Sequence, residues 1–231
     1  MEQRVVVIGL GIFGNAVAKE MTRNGAEVLA IDIDSECVET IKDDVTHAIV
    51  LDSTDEAALQ EQGVANFDVA VVAIGMNFES AMITTSILKR LGVNNIHARA
   101  TSTRKGELLQ KIGGDSTQII NPEESAGKQL ALVLLTRGAD SVKEITEELL
   151  IVTRRAPKVF WKKSLAELNI RGKYHVNVVA IKKPTKKIDA RSGKPIEEIN
   201  DSPGPGDIIQ EGDKLLVACS RSNIDNLPYL E

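Results

Sequence analysis

Gly9-Leu10-Gly11-Ile12-Phe13-Gly14 follows the spacing G-x-G-x-x-G, and Asp32 stands eighteen positions after the last of these glycines. Together they can hold an adenosine-containing ligand by its phosphates and its ribose. Gly9 allows a tight turn, Gly11 lets phosphate oxygens approach the backbone, and Gly14 lets a helix pack closely on a strand. Free amides at the start of that helix favour an anion. The Asp32 carboxylate can accept hydrogen bonds from both ribose hydroxyls, with Ile33 beside it at the strand end. It would repel a 2′-phosphate, which disfavours NADP.

Further residues are expected around the same ligand. Asp52 is read as an adenine-side contact or a helix cap, and Ser53 follows it. Ala73, Ile74 and Gly75 end a fourth strand, where backbone would line the crevice. Arg99 lies on an otherwise apolar strand, so its charge must reach a cleft or a partner charge. A phosphate contact and a structural ion pair both satisfy that demand. Glu123 opens a helix, where it can help hold a metal cation beside phosphates or act as a helix-dipole acid.

An enzyme needs more than a ligand site. Hydride transfer requires a proton shuttle. His47, His97 and His175 have no partner motif, and Tyr174 is followed by His175-Val176-Asn177-Val178 rather than a lysine four positions on. No Walker A lysine and no G-x-S-x-G elbow occur. The chain is therefore expected to be no enzyme, with an NAD-dependent oxidoreductase as the alternative.

The elements that would position these residues alternate. Strands are predicted at 5–8, 28–33, 48–51, 69–74, 96–100 and 117–120. Helices are predicted at 15–23, from Asp34 or Ser35 to about 42, from a Ser53-x-x-Glu56 capping box to near 63, at 79–91 and at 106–112. Another starts at Asn121-Pro122-Glu123-Glu124 and stops near Gly138. Its many apolar side chains are expected to pack either on its own sheet or on a second subunit. After Gly138 the texture changes. Strands are predicted at 147–153, 176–182 and 214–218, with a capped short helix at Ser164-Leu165-Ala166-Glu167 and a loop-rich stretch at 183–206. The fold class is α/β: a Rossmann-like doubly wound parallel sheet (1–138) with a second, smaller α+β domain (139–231).

Composition agrees. The chain is 42% hydrophobic and only 3% aromatic, so its core must be aliphatic, as in sheets buried on both faces. A net charge of −5 argues against nucleic acid as a partner. Cys37 and Cys219 have no ligand spacing and fit a reducing interior. The chain runs from Met1 through Arg4 straight into a strand, and the uncharged run 5–18 is too short to span a bilayer. No signal peptide is read there. A soluble, cytoplasmic protein is expected, with any membrane role coming through a partner.

A family resemblance covers nearly the whole chain. VVVIGLGIFG, LAIDID, LDSTDE, DVAVVAIG and NPEES in the first domain, and SLAELNIRGKYHVNVVAIKK and GDIIQEGDKLLVACS in the second, resemble the cytosolic regulatory subunits of Trk/Ktr-type potassium transport systems, built from RCK (regulator of K⁺ conductance) domains. The resemblance implies a gating protein. Dimers would assemble into a ring, often an octamer, beneath a membrane K⁺ translocating subunit, and a crossover helix at 124–137 would help build the dimer. ATP or ADP, with NAD(H) as alternative, would bind the first domain. The family's glycine loop often carries an arginine that reaches phosphates; here that position is Ile12, which leaves Arg99 as the alternative contact. A glycine usual before the third-strand aspartate is Leu51. Some members bind cyclic di-AMP at the second domain, where Ile170, Arg171 and Asn177 would correspond.

Overall fold

The structure, a computed structural model, describes residues 3–188 and 195–228. Two compact units divide the chain, Met1–Ser125 and Ala126–Glu231. The first holds six parallel strands: β1 (Arg4–Ile8), β2 (Glu27–Asp32), β3 (His47–Val50), β4 (Val69–Val72), β5 (Ile96–Arg99) and β6 (Thr117–Ile120). Their order is β3-β2-β1-β4-β5-β6, so the chain reverses its travel across the sheet between β1 and β4. Side chains alternate between the two faces. Val6, Ile8, Ile31 and Val72 enter one core, and Val5, Val7, Ala30 and Val71 the other. Helices α1 (Ile12–Arg23) and α2 (Ser35–Ile41) close the second of these cores; α3 (Glu56–Glu61), α4 (Phe78–Arg90) and α5 (Thr103–Gly113) close the first.

Short polar side chains start these helices by accepting amide hydrogens that the first turn leaves free. Asp34, Asn77 and Ser102 do so for α2, α4 and α5. The expected Ser53–Glu56 capping box does not form. Asp55 caps α3 through the Ala58 amide, because the Ser53 hydroxyl is engaged elsewhere. Asn121 accepts from the Glu124 amide at 3.1 Å ahead of α6 (Pro122–Leu135), with Pro122 in its first position. None of the α6 residues is buried.

The second unit is built on a five-stranded antiparallel sheet in the order β10-β9-β11-β8-β7. The strands are β7 (Ala139–Glu144), β8 (Leu149–Arg155), β9 (Asn177–Ile188), β10 (Pro195–Asn200) and β11 (Lys214–Ser220). The stretch expected to be loop-rich is therefore corrected: β9 runs on to Ile188, and β10 pairs back against it. Residues 189–194 of that stretch lie outside the described residues. Helix α7 (Leu165–Leu168) starts with the expected capping box of Ser164 and Glu167, and α8 (Ile170–Tyr174) follows directly. Val152, Phe160, Ile181, Leu215 and Val217 fill the core. Leu132 and Val133, on the second half of α6, pack against it.

Candidate functional site

At the ends of the paired strands β1 and β4, where the chain's travel across the sheet reverses, the glycine loop turns out of the sheet. Gly9 has φ +95°, and a Cβ there would lie 2.9 Å from the Ile74 amide nitrogen. Gly14 is tighter still: a Cβ would lie 1.8 Å from the Gly9 carbonyl oxygen. Those two glycines let the loop, α1 and the end of β4 touch. Gly11 differs. It caps α1 at φ −62° and ψ −173°, and nothing stands within 4 Å of where its Cβ would be. The α1 start has no side-chain cap and no acid in its first turn. Its amides and dipole are left to favour an anion at this open cradle.

Asp32 ends β2 beside the loop. Its Oδ2 accepts from the Leu10 amide at 2.5 Å and its Oδ1 from the Asp34 amide at 2.9 Å. Each carboxylate oxygen offers two lone pairs, so each retains one for a ribose hydroxyl. The side chain thus also braces the loop. Ile33 follows it, 67% exposed.

The third-strand turn is divided in its tasks. Asp52 Oδ1 accepts from the Thr54 amide at 2.9 Å and the Thr54 hydroxyl at 2.7 Å. The amide first, and then the hydroxyl, hold this carboxyl below the usual range. Ser53 is buried, with its Oγ 2.8 Å from Thr84 Oγ1, and the Thr84 hydroxyl also lies 3.2 Å from the Ser53 carbonyl. These contacts tie the turn to α4. No sequence signal marks Thr84, thirty-one positions away.

The β4 end continues the ladder: the Ala73 amide donates to the Ile8 carbonyl at 2.7 Å. Ile74 packs against the first of the sheet cores, and Gly75 lies under Arg99, whose Nη1 would be 2.6 Å from a Cβ. The Arg99 Cζ is 5.9 Å from the Phe13 ring centroid. Arg99 therefore reaches from the β4 end toward the glycine loop. Its Nη2 donates to the Glu123 carboxylate in the first turn of α6, while its Nε is buried without a partner among the described residues. The Glu123 carboxyl sits below its usual range because its own amide, and next Arg99, favour the ionised form. Among the described residues no three His, Cys, Asp or Glu side chains cluster as a metal site. A cation at Glu123 would take its remaining ligands from phosphates and water.

Two apolar side chains edge this region. Ile12 is 96% exposed at the start of α1, and Met76, which sequence reasoning passed over, is 100% exposed after Gly75. In the second unit, Ile170 is buried in the core, whereas Arg171 and Asn177 are exposed. No described helix is long and apolar enough to cross a membrane.

An open glycine loop at the reversal point, with an acid at the end of the second strand, defines a Rossmann-type domain of the nucleotide-binding kind, here joined to a small antiparallel unit. Residues 5–122 match the TrkA-N domain family and residues 149–227 the TrkA-C domain family, and the chain belongs to this two-domain family of potassium-transport regulatory proteins. It is 36% identical to Ktr system potassium uptake protein C of Bacillus subtilis (strain 168), over 97% of this chain and 95% of that protein. It is also 36% identical to Ktr system potassium uptake protein A of the same organism, over 96% and 94%. Its fold is similar to that of the GsuK channel bound to NAD, with a TM-score of 0.60, 14% identity and 98% of this chain covered. The chain spans about two fifths (39%) of that channel's length.

Proposed function

We propose that this chain is the regulatory subunit of a potassium uptake system. It senses an adenine nucleotide and passes its occupancy to a membrane K⁺ translocating subunit, acting on the cytoplasmic side and without catalysis. The observation that carries this reading is the open cradle at Gly11 beside the loop-bracing Asp32, in a chain alike over nearly its full length to two Ktr uptake proteins. Gly11, Asp32 and Arg99 would hold the nucleotide, with Ile33, Asp52 and the backbone at Ala73, Ile74 and Gly75 around it. ATP or ADP is the ligand, with NAD(H) as the alternative; NAD binding by the structurally similar GsuK channel supports keeping both. The loop presents Ile12 rather than a cation, so discrimination between phosphate numbers falls to Arg99.

Transmission requires assembly. Leu134 and Leu135 on α6 are 75% and 80% exposed, an apolar surface that a second copy would cover. This supports homodimers that join into a ring. The test is calorimetric titration of the purified protein with ATP, ADP, NAD⁺ and NADH. At least one should bind the wild type, and Gly11→Ala should abolish that binding while its circular dichroism stays native, since the added methyl meets no other described residue within 4 Å beyond its chain neighbours. Equal affinity in Gly11→Ala would refute the site.

A further inference from the structure

Arg99 touches two elements that matter to the proposed nucleotide, and the inference here rests on that nucleotide reading. Its guanidinium covers Gly75 and lies 5.9 Å from the Phe13 ring of the glycine loop. On its other side Nη2 donates to Glu123 in the first turn of α6. The Nε is buried and has no partner among the described residues. A guanidinium carries five N–H donors in a planar fork suited to bidentate contact with phosphate. A buried donor without a partner is costly, so this cation gains from a ligand that completes its hydrogen bonding. The partner it already has is replaceable: the Glu123 side chain is 56% exposed against 19% for Arg99, so a released carboxylate returns to water while the guanidinium stays partly buried. Charge-assisted bonds to phosphate in a partly buried setting are stronger.

We propose that Arg99 exchanges partners. A phosphate on the glycine loop takes the guanidinium from Glu123, and the released carboxylate unties the first turn of α6 from the end of β5. Because α6 also carries the exposed leucines, this exchange links nucleotide occupancy to the helix that the assembly would use. Arg99 is thus a phosphate contact and a positioning residue for α6 in turn, and the two roles read from its sequence context are successive states of one side chain.

A mutant cycle tests it. Whichever of ATP, ADP, NAD⁺ and NADH binds the wild type most tightly is titrated into wild type, Arg99→Gln, Glu123→Gln and the double variant, in EDTA and again with Mg²⁺. Arg99→Gln should weaken binding about tenfold, the scale of one charge-assisted contact. Glu123→Gln should tighten it about threefold by removing the competitor, and the double variant should match Arg99→Gln alone because Glu123 acts through Arg99. Hydrogen exchange of the 123–126 amides should speed up on nucleotide addition in wild type and not in Arg99→Gln. The same gain from Glu123→Gln in the Arg99→Gln background would mean simple charge repulsion and overturn the exchange. So would unchanged affinity in Glu123→Gln, or a loss seen with Mg²⁺ alone, which would make Glu123 a cation ligand. If wild type binds none of the four nucleotides, the nucleotide reading itself falls and the exchange with it; wild-type binding with a flat cycle overturns only the exchange.

Discussion

Gly14 bears the hardest steric demand in the glycine loop. A methyl there would sit 1.8 Å from the Gly9 carbonyl oxygen, so either α1 or the loop must move. We expect Gly14→Ala to lower stability by about 3 kcal/mol, within the range of severe backbone clashes, as a shift of the urea midpoint. Gly11→Ala should move that midpoint far less, by at most about 1 kcal/mol for the poorer N-cap, because its methyl would stand in open space. A Gly14→Ala protein with wild-type stability would show that the loop is loosely packed. Asp32 is a poorer probe of binding than Gly11. Its removal would orphan the Leu10 and Asp34 amides, so stability and affinity would fall together. That dual task was not legible in the chain's order of residues. The glycine spacing and the acid were, because each follows from local backbone demands.

At the scale of elements, α6 is the one whose burial does not match its composition. Leu130, Leu134 and Leu135 are exposed although the helix begins with well-placed caps and a proline. The paired substitutions Leu130→Glu and Leu134→Glu should convert an oligomer to a smaller species by light scattering, with a melting temperature within about 2 °C of wild type, as for surface changes. An unchanged mass would remove α6 from the proposed contact. The strands divide in how readable they were. The inner strands β1, β2 and β4 announce themselves as apolar runs, since both faces are buried. The edge strands β7 and β10 do not. β7 buries Val142 alone, and β10 reads Pro-Ile-Glu-Glu-Ile-Asn. An edge strand needs few buried residues and keeps charges to protect its open side, so its pattern resembles a loop. The α3 start was misread for another reason. Ser53 and Glu56 have the right spacing for a capping box, but Thr84 claims the serine. A local rule lost to a tertiary hydrogen bond.

At the scale of the molecule, two separate sets of core residues serve the two units. A nucleotide held in the first unit should stabilise that unit by mass action. We expect scanning calorimetry to resolve two transitions, with a saturating nucleotide raising one and leaving the other in place. A single transition that moves as a whole would mean that the units unfold as one.

The sequence by itself determined the alternation of strands and helices, the change of architecture after α6, the glycine loop and the acid beside it, and the family. Each is a matter of periodicity or spacing, which hydrophobic burial and backbone sterics impose locally. Tertiary structure alone decided what the polar and charged side chains do beyond their own elements. It paired Arg99 with Glu123, twenty-four residues away, set Arg99 over Gly75, and gave the Ser53 hydroxyl to Thr84. Such partners are chosen by distance in space once the sheet order is set. A side chain's role at this site therefore became readable only when β4, β5 and the start of α6 stood side by side.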